Sequence, residues 1–189
     1  MSVDLPAVHA EALEHTGRIV AAIDRGQFRD PTPCDDWDVE TLLNHVVSGN
    51  LWAVPLVGGE TIEQVGDRLD GDVLGGDFVA AYDRSAADAA AAFSAPGAMD
   101  APCAVSYGPV PGRVYCGHRL IDVLVHGWDL AEATEGNTVL PANLVEACIE
   151  VVRPQLDMLE GSGAFGSDHT VPEGASPQTQ LLAWLGRRG

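Results

Sequence analysis

The sequence predicts an all-α protein: a four-helix bundle with long cross-connections and short helices at its C-terminal end. Three observations carry this. Apolar residues recur in separate segments at the three-and-four spacing of a helix. Strand signals are few, and clusters of Pro, Gly and Asp, which stop helices, separate the segments. One segment, Tyr115 to Ala133, is apolar around most of its helical wheel and therefore belongs inside a bundle. All 189 residues read as a single domain. The core bundle is expected over about residues 4–135, with a helical extension over about 140–189.

The first helix is expected from Leu5 to Ile23, capped by Asp4 with Pro6 in its first turn. Leu13, Val20 and Ile23 mark its inner face, and His9 and His15 are read as surface or rim residues. Gly26 to Asp36 is a connection, because two prolines and paired aspartates forbid a continued helix. Asp35 or Asp36 then caps a second helix, Trp37 to Val57, whose core stripe is Val39, Leu42, Leu43, Val46, Val47 and Val54. His45 lies to one side of that stripe, beside Gly49 and Trp52.

An acidic connection, Gly58 to Gly76, leaves room for a short helix at Thr61 to Val65. The third helix, Phe78 to Phe93, is rich in alanine, the best helix former. Ser94 to Arg113 carries four prolines and three glycines. It is read as a loop with a short extended pair, Val105–Tyr107 and Val110, turning at Gly108-Pro109. The Tyr115–Ala133 helix follows. A fifth helix is expected from Pro141 to about Leu159, kinked or broken at Pro154. Gly161 to Ala175 reads as loop, and Ser176-Pro177 caps a last helix, Gln178 to Leu185.

Composition limits the function. Asp plus Glu number 28 against 10 Lys plus Arg, all ten of them Arg, for a formal charge of -18. Such a chain repels nucleic acid and anionic membranes. The first residues lack the basic and apolar regions of a secretory signal, and no apolar run is long enough to span a bilayer. A cytoplasmic protein acting on small molecules is expected. Cys34, Cys103, Cys116 and Cys148 form no C-x-x-C pair. They are read as free thiols used mostly for packing.

The apolar helix has one polar stripe: His118, Asp122, His126 and Asp129. Residues spaced by three and four share a helix face, and these are metal-ligating types rather than the Glu, Lys or Arg of a solvated face. Asp122 and His126 can reach one ion. A third ligand must come from another helix, and His45 is the best placed. His118 is the rival ligand, and Asp129 can orient His126 from behind. Such a set suits zinc, iron or nickel. The plainer alternative is the wetted side of an amphipathic helix. His169, in a loop beside Asp168, is read as solvated.

Two stretches, TPCDDWDVETLLNHVVSGN and RLIDVLVHGWDLAEATEG, resemble the paired signatures of the DinB-like metal-binding bundles. The closer likeness is to their actinobacterial branch, related to mycothiol-dependent maleylpyruvate isomerase. The ending, AFGSDHTVPEGASPQTQLLAWLGRRG, is similar to the tail of one subgroup of that branch. The resemblance implies an up-down-down-up bundle and a divalent metal on His45, Asp122 and His126, zinc first, with nickel or iron as alternatives. In the isomerases the middle ligand is Glu, so Asp122 is one methylene shorter. Their larger C-terminal domain is not recognisable here.

The implied activity is a thiol-dependent transferase or isomerase using mycothiol on a small electrophile. Trp52, Trp128 and Tyr107 would line the pocket, and Arg113 or Arg119 would offset an anionic substrate group. A homodimer is expected by family analogy. A metal-dependent hydrolase and a non-catalytic ligand-binding bundle are the alternative readings.

Overall fold

The computed structural model describes residues 3–156, 171 and 173–187. The expected His169, Asp168, Leu159 and most of the Gly161–Ala175 loop lie outside the described residues. The chain divides into two compact units, Met1–Thr138 and Val139–Gly189.

The first unit holds α1 (Leu5–Val20), α2 (Val39–Val57), a one-turn α3 (Ile62–Val65), α4 (Phe78–Ser94), a hairpin of β1 (Pro102–Val105) and β2 (Gly108–Pro111), and α5 (Gly112–Ala133). Capping residues set the helix starts. Asp4 accepts from the Ala7 amide, Asp38 from Thr41, Thr61 from Gln64 and Asp77 from Ala80, each satisfying an amide that the helix leaves open. The second helix therefore begins two residues later than expected. Asp38, held by Arg29 at 2.8 Å, takes the capping role given to Asp35 or Asp36. The strand pair forms, but its turn is at Ser106-Tyr107, and Gly108 (φ +115°) opens β2.

α1 and α2 each pack against both α4 and α5. α1 therefore stands diagonally across the bundle from α2, and α4 from α5, while α2 and α4 are packed neighbours. The core joins Val20, Ile23, Leu42, Leu43, Val46, Phe78, Tyr82 and Leu130. α1 and α5 approach closely at Gly127, where a Cβ would lie 2.4 Å from Thr16 Oγ1; Thr16 in turn donates to the Val123 carbonyl at 3.0 Å. Val54, expected in the core stripe, is exposed. His9, expected at the rim, is completely buried edge-on to Phe93, with ring centroids 5.0 Å apart.

The second unit contains α6 (Ala142–Val152), a 3-10 turn at Arg153–Gln155, and α7 (Pro177–Trp184) packed on α6. The break falls at Pro154, which has no amide to continue the helix. Among the described residues no helix is long and apolar enough to cross a membrane.

Candidate functional site

α5 carries Asp122 and His126 one turn apart, and α2 faces them with His45. His45 Nε2 lies 3.2 Å from Asp122 Oδ1, and His126 Nε2 lies 3.6 Å from the same oxygen. The other carboxylate oxygen, Oδ2, accepts from Arg119 Nη1 at 2.8 Å. Thus Asp122 turns one oxygen to the imidazoles and one to the guanidinium. Burial alone would raise its pKa. The Arg119 charge, His126 and the His45 hydrogen bond more than offset that and hold the carboxyl well below the usual carboxylate range.

Arg119 is buried, and its Nη2 donates to Asn50 Oδ1 at 3.1 Å. Asn50 donates to Ser85, which donates to the Tyr82 carbonyl. A hydrogen-bonded chain thus runs from Asp122 across α2 to α4. The guanidinium fits only because residue 49 is glycine: a Cβ there would stand 2.2 Å from Nη1. Arg119, expected to offset a substrate anion, is instead committed to Asp122 and Asn50.

Behind His126, Nδ1 donates to Asp129 Oδ2 at 3.0 Å, and Asp129 is fully buried. That bond fixes the tautomer and leaves the Nε2 lone pair facing His45 and Asp122. The same Asp129 oxygen accepts from the Cys34 thiol at 3.3 Å, and Cys34 Sγ lies 3.7 Å from His126 Nδ1.

Cys34 comes from the connection between α1 and α2, which is closed on itself. Thr32 Oγ1 donates to the Trp37 carbonyl and accepts from the Cys34 amide, the Trp37 amide donates to the Cys34 carbonyl, and Asp36 turns at φ +66°. This turn also sets Trp37 over the two imidazoles, 4.8 Å from His45 and 6.1 Å from His126 between centroids.

The sequence reading missed Cys34, Trp37 and Asn50. Cys103, Cys116 and Cys148 are buried, as expected of packing thiols, but Cys34 is half-buried at the site. A search for paired cysteines cannot find it, because its partners are ninety residues away on another helix. The compact run PCDDW before a histidine-bearing helix was the available signal.

Of the remaining expected residues, His118 bonds the exposed Tyr107 hydroxyl on the hairpin and stands apart from the His45–Asp122–His126 group. Arg113 pairs with Asp100 at 2.6 Å. Trp128 is packed in the interior at 3% exposure, and Trp52 is half-buried on α2.

Among the described residues two sets of possible ligand atoms converge, each within 4.8 Å: His45, Asp122 and His126, and Cys34, His126 and Asp129. Zinc bonds of about 2.0–2.3 Å place neighbouring donors roughly 3.3–3.6 Å apart. The 3.2 and 3.6 Å separations around Asp122 Oδ1 are close to that spacing on two edges of the first set.

Two uncharacterized proteins of Mycobacterium tuberculosis, one from strain CDC 1551 and one from strain H37Rv, are each 36% identical to this chain over 188 residues, covering 95% of this chain and 95% of each relative. No solved structure matches it significantly. The family model described as the mycothiol maleylpyruvate isomerase N-terminal domain matches residues 9–131, a span that includes His45, Asp122, His126 and Asp129. The chain belongs to that family of DinB-like helical bundles.

Proposed function

We propose that His45 Nε2, Asp122 Oδ1 and His126 Nε2 hold a divalent ion, zinc before nickel or iron. On this reading the chain is a cytoplasmic transferase or isomerase that uses a mycothiol-type thiol against a small electrophilic substrate. The observation that carries it is the convergence of three donor atoms from α2 and α5 on one point, with His126 oriented from behind by a buried carboxylate. A bound divalent ion would supply Lewis acidity and lower the pKa of a coordinating thiol.

The chain's own residues do the rest. Asp129 keeps His126 in the tautomer whose Nε2 is free to ligate. Arg119 pins Oδ2 of Asp122 and leaves Oδ1 turned to the two histidines. Trp37 shields the imidazoles on one side, while His45 keeps 38% of its side chain exposed. That exposure leaves an approach for thiol and substrate.

The test is elemental analysis of the purified protein, followed by calorimetric titration of zinc into wild type and the His45→Ala and His126→Ala variants. Stoichiometric metal and a loss of at least tenfold in affinity in both variants are expected. Wild-type affinity in His126→Ala overturns the assignment. Turnover of an electrophilic substrate only when mycothiol is added supports thiol transfer, and turnover without it points to hydrolysis instead.

A further inference from the structure

His126 has two ring nitrogens, and each faces its own set of donors. On the Nδ1 side the three separations are 3.7 Å from Cys34 Sγ to Nδ1, 3.3 Å from Sγ to Asp129 Oδ2, and 3.0 Å from Nδ1 to Oδ2. A tetrahedral ion with one sulfur, one nitrogen and one oxygen ligand needs edges of roughly 3.3–3.6 Å. All three atoms are within a few tenths of an ångström of that triangle. Asp129 is fully buried and cannot turn away to water, while Cys34 is half-buried in a turn held by Thr32.

We propose that Cys34 Sγ, His126 Nδ1 and Asp129 Oδ2 form a second, thiolate-bearing cation position for an ion more thiophilic than zinc, such as Cd²⁺ or Cu⁺. It cannot be filled at the same time as the position on Nε2. A neutral imidazole carries one proton and offers one free lone pair. An ion on Nε2 leaves the proton on Nδ1, donating to Asp129. An ion on Nδ1 requires the proton on Nε2, where it faces Asp122 Oδ1 at 3.6 Å. Filling the thiolate position releases the Cys34 proton to solvent, while the imidazole proton changes nitrogen through solvent. One proton is therefore lost per ion.

Charge and softness set the preference between the two positions. Cys34 and Asp129 give two anionic ligands, which neutralise a divalent ion. Asp122 gives one, already shared with the Arg119 guanidinium. A burial-sensitive site favours the neutral sum, and sulfur selects thiophilic ions over hard ones. This inference goes beyond the proposed function and does not need His45 to be a ligand.

The test uses Co²⁺ and Cd²⁺ on the full chain, with wild type, Cys34→Ser and His45→Ala. Co²⁺ in wild type should give a near-ultraviolet sulfur-to-cobalt charge-transfer absorption. The absorption should persist in His45→Ala and vanish in Cys34→Ser. One equivalent of Cd²⁺ should slow alkylation of Cys34 at least tenfold, located by peptide mass mapping, since the other three thiols are buried. Circular dichroism checks that both variants fold. No charge-transfer band in wild type, or the same band in Cys34→Ser, overturns the proposal. If all ion binding is lost in Cys34→Ser and none in His45→Ala, this position stands and the His45–Asp122–His126 assignment fails.

Discussion

Arg119 and Asp122, one turn apart on α5, form a 2.8 Å ion pair in which the guanidinium is almost fully buried and the carboxylate is not. Asn50 on α2 accepts from the other terminal nitrogen of the guanidinium. The pair thus ties the site to the packing of two helices. Arg119→Met leaves Asp122 without its cation and Asn50 without its donor. Removing one partner of a buried pair costs about 3 kcal/mol, the low end applying because Asp122 keeps contact with solvent. Arg119→Lys should recover part of it. Urea unfolding checks this, and a Met variant as stable as wild type would refute it.

Gly49→Ala tests the same contact from the other side. The new methyl would sit 2.2 Å from Arg119 Nη1, so the guanidinium must move off Asn50 and Asp122. Overpacking of this kind costs about 1–3 kcal/mol, even though alanine is the better helix former. The expected readout is a lowered melting temperature with unchanged far-ultraviolet circular dichroism.

Asp129→Asn keeps the shape behind His126 but removes the charge that holds Nδ1 protonated. Zinc affinity measured by calorimetry should fall by roughly 10–100-fold, the usual effect of losing a carboxylate behind a histidine ligand. An unchanged dissociation constant would mean that His126 does not ligate through Nε2.

His9 gives the fold a pH dependence. Burial, with a smaller contribution from the Arg119 charge, pushes its pKa down from 6.5 to about 3, and neither ring nitrogen has a hydrogen-bond partner among the described residues. The unfolded chain protonates near pH 6.5 and the folded one does not, so stability falls as pH drops from about 6.5 towards 3. By pH 4.5 the loss from this group is on the order of 2–3 kcal/mol. Unfolding free energies from urea titrations at pH 7 and 4.5 should differ less in His9→Leu than in wild type by that amount. An equal difference in both proteins would show that His9 is protonated in the folded state.

Periodicity and stop residues made most of the fold legible. α4, α5 and the one-turn α3 lie within a few residues of their expected bounds, because Asp, Thr, Pro and Gly punctuate the chain where helices must begin and end. The candidate ligand set was legible in part. Asp122, His126 and Asp129 share one helix face, and a face can be read from spacing. His45 could be named but not placed, since nothing local says which turn of α2 meets α5. Cys34 and Trp37 were hidden for a different reason. They reach the site through the tertiary path of a loop, and loop residues carry no period. His9 misled because a histidine on an alanine-rich helix gives no hint that its ring is accommodated inside.

The packing of α2 against α5, helices far apart in the chain, has a consequence for assembly. Donors from residues 34 to 129 meet only when the connection, α2 and α5 have all docked. A chain with either helix undocked keeps neither three-donor set whole, which leaves too few converging donors to grip an ion. On the proposed assignment, ion uptake would report that the bundle is complete. A nascent or damaged copy would stay empty, and the cell's metal pool would stabilise only those copies whose long crossovers had closed correctly.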